Sequence, residues 1–216
     1  MELTPCPVVV LISGNGTNLQ ALIDASAASN FKITGVISNK ANAFGLERAQ
    51  KAHIPTTVVS HLDYESREEF DIAIIAQIDK YQPRLVVLAG FMRILSPTFV
   101  QHYPGRILNI HPSLLPKYPG TNTHQRVLDA GDKFHGVSTH FVTEELDGGP
   151  IITQQKVPVL ETDDATALAK RVAAKEHSIY PTVVSWFAAD RLKMEGNDAL
   201  LDGTVLPATG LEISST

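Results

Sequence analysis

The run Val8-Val9-Val10-Leu11-Ile12, ended by Ser13-Gly14-Asn15-Gly16-Thr17, constrains the fold more than any other stretch. A continuous β-branched and apolar run predicts a strand covered on both faces, as in a parallel sheet. The next residues supply a first cover: Asn18 to Ala28 carries Leu19, Leu22 and Ile23 at helical spacing. The alternation then repeats. Ile33 to Ser38 predicts a strand, Ala43 to Ala52 a helix and Thr56 to Val59 a short strand. Arg67 to Tyr81 places Phe70, Ile74 and Ile78 on one helical face. Leu85 to Ala89 and Ile107 to Ile110 predict two more buried strands. Strands alternating with helices imply an α/β fold, a mostly parallel twisted sheet flanked by helices.

The second half differs. Gly136 to Val142 and Ile151 to Val157 are strand-like and are separated by the turn-rich Asp147-Gly148-Gly149-Pro150, which predicts an antiparallel C-terminal portion. Asp163 or Asp164 is positioned to cap a helix through Leu168 and Val172 toward Ile179, with Pro181 expected to interrupt or restart it. The last twenty residues read as turns with a polar end. No repeat, low-complexity tract or linker divides the 216 residues, enough to bury a sizeable core. A single domain over 1–216 is expected, with a first half of about 1–105 and a second of about 106–216.

A net charge of −5 gives no support for nucleic-acid binding through phosphate neutralisation. The lone cysteine, Cys6, allows no intrachain disulfide, and its place between two prolines predicts no reactive role. The N-terminus carries Glu2 and lacks a basic flank and a small-residue cleavage site, so no signal peptide is expected. The chain reads as cytoplasmic and without a membrane span.

Ser13 to Asn18 follows a strand and opens a helix. Glycine lets the backbone approach a ligand closely, and a helix start offers free N–H groups and a positive dipole end. Two readings stand side by side: a phosphate site with Thr17 and Asn18 as added donors, or a plain strand-to-helix turn. The dinucleotide fingerprint is absent, because Leu19 occupies its third glycine position and Ser38-Asn39-Lys40 offers no acidic residue to a ribose. A P-loop is absent too, since no Gly-Lys-Ser/Thr follows.

Asn109-Ile110-His111-Pro112 ends a predicted strand. Residues two apart share a face, so Asn109 and His111 project together, and ligands of open α/β sheets bind beyond strand carboxyl ends. Asp147 sits in a context that says turn. A carboxylate beside His111 favours the imidazolium, which with the Asn109 amide can stabilise a tetrahedral oxyanion. No Gly-x-Ser-x-Gly elbow and no metal-ligand cluster occurs, which leaves direct acyl transfer.

With these residues in view, the chain resembles the phosphoribosylglycinamide formyltransferase family of folate-dependent enzymes. The resemblance runs through VVVLISGNGTN at Val8 to Asn18, VVLAGFMRILSP at Val86 to Pro97, LNIHPSLLPKYPG at Leu108 to Gly120 and TEELDGGP at Thr143 to Pro150. It extends over nearly the whole chain, past Trp186. Asn-x-His-Pro-Ser-Leu-Leu-Pro marks the formyl-handling superfamily, while the glycine loop with Lys175-Glu176-His177 narrows it.

The resemblance implies a Rossmann-like formyltransferase fold and assigns roles. Asn109, His111 and Asp147 match the catalytic trio. Gly16, Thr17 and Asn18 match the phosphate contact, and Glu176 the glycinamide contact. Arg67, Met92, Arg93, Ile94, Leu95, Asn109, Thr143, Glu144, Glu145, Leu146 and Asp147 match the folate site. Ser138 and His140 follow the local pattern with less weight. Met92, Ile94 and Leu95 also read as core, and Arg67 as a solvated helix residue.

The implied co-substrates are 10-formyltetrahydrofolate and glycinamide ribonucleotide, with no metal and no tightly bound cofactor. The implied assembly is a monomer or homodimer without nucleic-acid or membrane partners. Rivals are a formyltetrahydrofolate hydrolase, a methionyl-tRNA formyltransferase and a non-catalytic phosphometabolite-binding module.

Overall fold

Strand β1, Cys6–Ile12, forms the middle of a sheet whose two faces are both covered. Its alternate residues divide between two cores. Val8, Val10 and Ile12 pack with Leu19, Leu22, Tyr180 and Val183, while Val9 and Leu11 pack with Phe70, Ile74, Ile78 and Phe99. Removing every side chain from Val8 to Ile12 from water, on both faces, is the reason that run has no polar member. Cys6 is part of this core, and burial pushes its thiol up from the ordinary value. The computed structural model describes residues 4–213. Glu2 and the polar end at 214–216 lie outside the described residues.

The parallel part follows the expected alternation. It comprises α1 (Thr17–Ser26), β2 (Phe31–Ser38), α2 (Phe44–Lys51), β3 (Thr56–Val58), α3 (Arg67–Ile78), β4 (Leu85–Leu88), α4 (Pro97–His102) and β5 (Ile107–His111). The predicted Arg67 to Tyr81 helix tightens over Asp79–Tyr81 into a 3-10 turn, which Gln82 ends at φ 46. Helix α4 was not expected from periodicity. It is set locally: the Ser96 hydroxyl accepts from the Phe99 amide at 3.3 Å, and Pro97 supplies a preset φ at the first turn.

α5 (Thr123–Ala130), β6 (Phe134–Phe141), β7 (Ile151–Pro158) and α6 (Ala165–Ala188) complete the main body. The short strand β9 (Asp198–Leu201) pairs with β8 (Leu192–Glu195) on one side and β10 (Thr204–Val205) on the other, and β11 (Leu211–Glu212) joins the edge of the main sheet beside β7. That sheet has eight strands in the order β11-β7-β6-β5-β4-β1-β2-β3. From β3 to β5 the neighbours are parallel, and β6 then runs antiparallel to β5. The chain builds outward from β1 in opposite directions, through β2 and β4. The crevice between the carboxyl ends of β1 and β4 is therefore the switch point at which such sheets take ligands.

Two expectations change at the C-terminal end. Pro181 lies inside one unbroken helix, α6, rather than between two. A proline removes a single intrahelical donor, and packing on both sides outweighs that loss: Ile179, Tyr180, Val183 and Val184 are all buried. The start of α6 is capped by Asp164, which accepts from the Ala167 amide at 2.7 Å, while Asp163 pairs with Arg171 at 2.6 Å. The tail is not only turns. Gly196-Asn197 and Asp202-Gly203 are two-residue hairpin loops joining β8, β9 and β10 into a three-stranded antiparallel sheet. Among the described residues, no helix is long and apolar enough to cross a membrane.

Candidate active site

The loop leaving β1 delivers Gly16 as the N-cap of α1, at φ 74 and with no side chain capping the first turn. The leading amides of α1 therefore keep free N–H groups at the positive end of the helix. Asn18 is buried in that first turn, and its Nδ2 donates to Glu176 Oε2 of α6 at 2.7 Å. Burial raises the Glu176 carboxyl above its ordinary value, and the Asn18 hydrogen bond partly offsets the rise. The expected phosphate and glycinamide residues thus meet, although 158 positions separate Asn18 from Glu176.

Ser13 joins this loop to the next. Its hydroxyl donates to Asn39 Oδ1 at 2.6 Å and accepts from the Met92 amide at 2.8 Å. The carboxyl ends of β1, β2 and β4 are thereby tied together. In the segment after β4, Met92 is 63% and Ile94 54% exposed, whereas Leu95 is 8% exposed. Leu95 is core, and Met92 and Ile94 form an apolar rim facing solvent. Arg93 lies with its guanidinium 6.0 Å from the Phe70 ring. Arg67 is exposed at the start of α3 and pairs with Glu68 at 3.3 Å.

Asn109 and His111 come from the carboxyl end of β5. The antiparallel register of β6 places His140 opposite Asn109 and Ser138 opposite His111. The two partners differ in use. Ser138 turns to support structure: its Oγ donates to the Ser113 carbonyl at 2.7 Å and accepts from the Leu115 amide at 3.0 Å. His140 belongs to the polar cluster. Its Nδ1 lies 2.8 Å from the Phe141 carbonyl, and its Nε2 lies 3.1 Å from Asn109 Nδ2. Burial holds the His140 imidazole well below its ordinary value, so the ring is neutral. A carbonyl only accepts, so Nδ1 carries the proton and Nε2 accepts from the Asn109 amide.

His111 has the opposite surroundings. Its Nε2 donates to the Tyr118 carbonyl at 2.8 Å, and its Nδ1 faces Asp147 Oδ2 at 3.5 Å. Each ring nitrogen of His111 therefore faces an acceptor. Asp147 adopts φ 52, a left-handed conformation that aspartate tolerates better than most residues. Its Oδ2 accepts from the Gly120 amide at 2.8 Å, and its side chain is 8% exposed. The loop is fixed at its base, where a Cβ on Gly149 would overlap the Phe141 carbonyl. In the rest of the segment, Glu144 accepts from Gln101 Nε2 at 2.7 Å, and Leu146 is exposed. Glu145 is exposed and Thr143 half-buried.

Sequence reasoning missed the backbone groups of Tyr118 and Gly120, which no side-chain pattern announces. It also missed the His124–His135 pair behind His111. These rings meet at 3.0 Å, and burial lowers both imidazoles, His135 to about 4.

A family model described as formyl transferase matches residues 7–184. The phosphoribosylglycinamide formyltransferase of Escherichia coli is 58% identical over 205 residues, covering 94% of this chain and 97% of its own. The enzyme of the same name from Haemophilus influenzae is 49% identical with the same coverage. A solved structure of phosphoribosylglycinamide formyltransferase from Coxiella burnetii superposes with a TM-score of 0.93 at 53% identity, covering 97% of this chain and 100% of that one. Together with the paired amide, imidazole and carboxylate beyond β5, these likenesses make the chain an enzyme of the formyl transferase family, among the phosphoribosylglycinamide formyltransferases.

Proposed function

We propose that the enzyme transfers the formyl group of 10-formyltetrahydrofolate to the amine of N1-(5-phospho-D-ribosyl)glycinamide, as a step of de novo purine synthesis. The products are the N-formyl amide and tetrahydrofolate. The observation that carries this reading is the meeting of Asn109, His111 and Asp147 around His140 at the carboxyl end of β5, in the sheet whose β1 leads to the α1 N-terminus and its Asn18–Glu176 bond. The whole chain acts as one domain, and folate is a substrate rather than a resident group.

The acceptor phosphate binds the free amides at Gly16, Thr17 and Asn18. Glu176, whose carboxyl is raised by burial, accepts a hydrogen bond from the acceptor amine without forcing it to stay protonated. The folate lies along Met92 to Leu95, with Arg67 and Thr143 to Asp147 as further contacts. The amine lone pair attacks the formyl carbon, and the carbonyl oxygen becomes an oxyanion. Asn109 Nδ2 has one N–H turned to His140 and a second left for that oxygen. The His111 Nδ1 contact to Asp147 is long at 3.5 Å, so this N–H is available to the oxyanion as well. Collapse expels tetrahydrofolate. The proton lost by the amine passes to the folate nitrogen, with Asp147 assisting directly or through water.

The test is a formyl-transfer assay with 10-formyltetrahydrofolate and glycinamide ribonucleotide. Formation of the N-formyl product is expected only with both present. Formate release with water as sole acceptor identifies a hydrolase instead. Binding without turnover identifies a phosphometabolite-binding module.

A further inference from the structure

Helix α2 grips the glycine loop from the side away from the catalytic trio. The Gly45 amide donates to the Gly14 carbonyl at 3.0 Å. The two chains pass so closely that a Cβ on Gly16 would lie 2.6 Å from Gly45 Cα. A Cβ on Gly45 would lie 2.6 Å from Ile12 Cδ1 and 3.3 Å from Gly16 Cα. One turn along α2, Arg48 closes the grip. Its Nε donates to the Asn15 carbonyl at 2.8 Å, and its Nη2 donates to Asn15 Oδ1 at 2.9 Å. Its Nη1 reaches Gln20 Oε1 of α1 at 3.3 Å, and its guanidinium stacks 4.9 Å from the Phe44 ring.

We infer that Gly45 and Arg48 are positioning residues that hold the Gly14–Gly16 loop in its anion-receptive shape and so set affinity for the phosphorylated acceptor. The inference deepens the proposed function and rests on it. A loop that must present several amides to one phosphate loses ordering entropy on binding unless it is already ordered. Arg48 orders Asn15 at both its carbonyl and its side chain. The missing Cβ of Gly45 lets α2 sit close enough for the Gly45–Gly14 bond to form. Gly45 and Arg48 bond to Gly14, Asn15 and Gln20 and not to Asn109, His111 or Asp147, so the chemical step is untouched.

The experiment is steady-state kinetics of the full-length enzyme with Gly45→Ala, Arg48→Met and Arg48→Lys. Inhibition by inorganic phosphate is measured alongside. The acceptor KM is expected to rise about tenfold or more in Gly45→Ala and Arg48→Met, and phosphate inhibition to weaken in parallel. The kcat and the KM for 10-formyltetrahydrofolate are expected to change less than about twofold. Arg48→Lys, which keeps the charge but loses the planar fork, recovers only part of the loss. An unchanged acceptor KM in both Gly45→Ala and Arg48→Met overturns the inference while leaving the function intact. So does a fall in kcat with equal rises in both KM values, which marks a general structural role. Failure of the wild-type enzyme to formylate this acceptor overturns the functional reading first, and the affinity claim with it.

Discussion

His140 Nε2 accepts from Asn109 Nδ2 across the β5–β6 pair, at 3.1 Å, from a ring that is 2% exposed. A carboxamide alone does not choose which of its ends faces a ligand. Here the neutral imidazole, fixed by its own Nδ1–H bond to the Phe141 carbonyl, makes that choice. His140 is thus a positioning residue for Asn109. In His140→Ala, kcat is expected to fall about tenfold to a hundredfold with little change in the acceptor KM. Asn109→Ala removes the donor itself and is expected to cost about 10²–10³ in kcat. Equal kcat in wild type and His140→Ala removes the orienting role.

For His111→Ala, formyl transfer is expected to disappear while the phosphorylated acceptor still binds. The binding loop hangs from β1, and His111 from β5. Calorimetric titration of the variant with acceptor checks the second half. Measurable turnover at wild-type rate contradicts the first.

Asp147→Asn separates charge from shape. Asparagine accepts the left-handed backbone at φ 52, and its carboxamide oxygen still serves the Gly120 amide. Folding is expected to be nearly unchanged, with Tm close to wild type, whereas kcat falls steeply. A parallel collapse of Tm and kcat ascribes the loss to the loop instead.

Acid should destabilise the protein through its buried imidazoles. His135 in the fold lies near 4, below its ordinary value of 6.5, through burial and then His124 and His111. The folded state holds that proton less tightly than the unfolded chain does. The stability it contributes is complete above 6.5 and is lost as pH falls toward about 4. His124 and His140, also lowered by burial, act in the same direction. Asp71 and Glu176, raised by burial, act oppositely: their contribution fades as pH rises through their folded values. Urea midpoints are expected to drop between pH 7 and pH 5, with a shallower drop in His135→Gln. Identical slopes for the two proteins eliminate His135 as a contributor.

What the sequence made readable follows the range of the interactions. Val8 to Ile12 declares its burial because both sheet faces act on the same five residues, and Asn109 and His111 share a face through simple alternation. Local signals for α4 and the C-terminal hairpins were also present, at Ser96-Pro97, Gly196-Asn197 and Asp202-Gly203. Periodicity arguments pass over them because the segments are short. Asp147 is different. Its neighbours encode a turn, and a turn it is, but its approach to His111 depends on β6 pairing with β5 and on the Gly149 crossing at Phe141. His140 gained its place by register, and Pro181 kept its helix by packing; neither is written in the adjacent residues. The family resemblance supplied the catalytic trio where alternation could only pair two of its members.

The Asn18–Glu176 bond carries one more consequence, for the order in which the protein is made. Its partners are 158 positions apart, so the first turn of α1 cannot be joined to Glu176 on a ribosome until α6 has emerged. The parallel sheet through β5 can pair earlier, since each of its strands meets neighbours already synthesised. A nascent chain halted before α6 therefore displays the glycine loop without its carboxylate counterpart. The Asn18–Glu176 contact therefore comes after the parallel sheet in the order of synthesis.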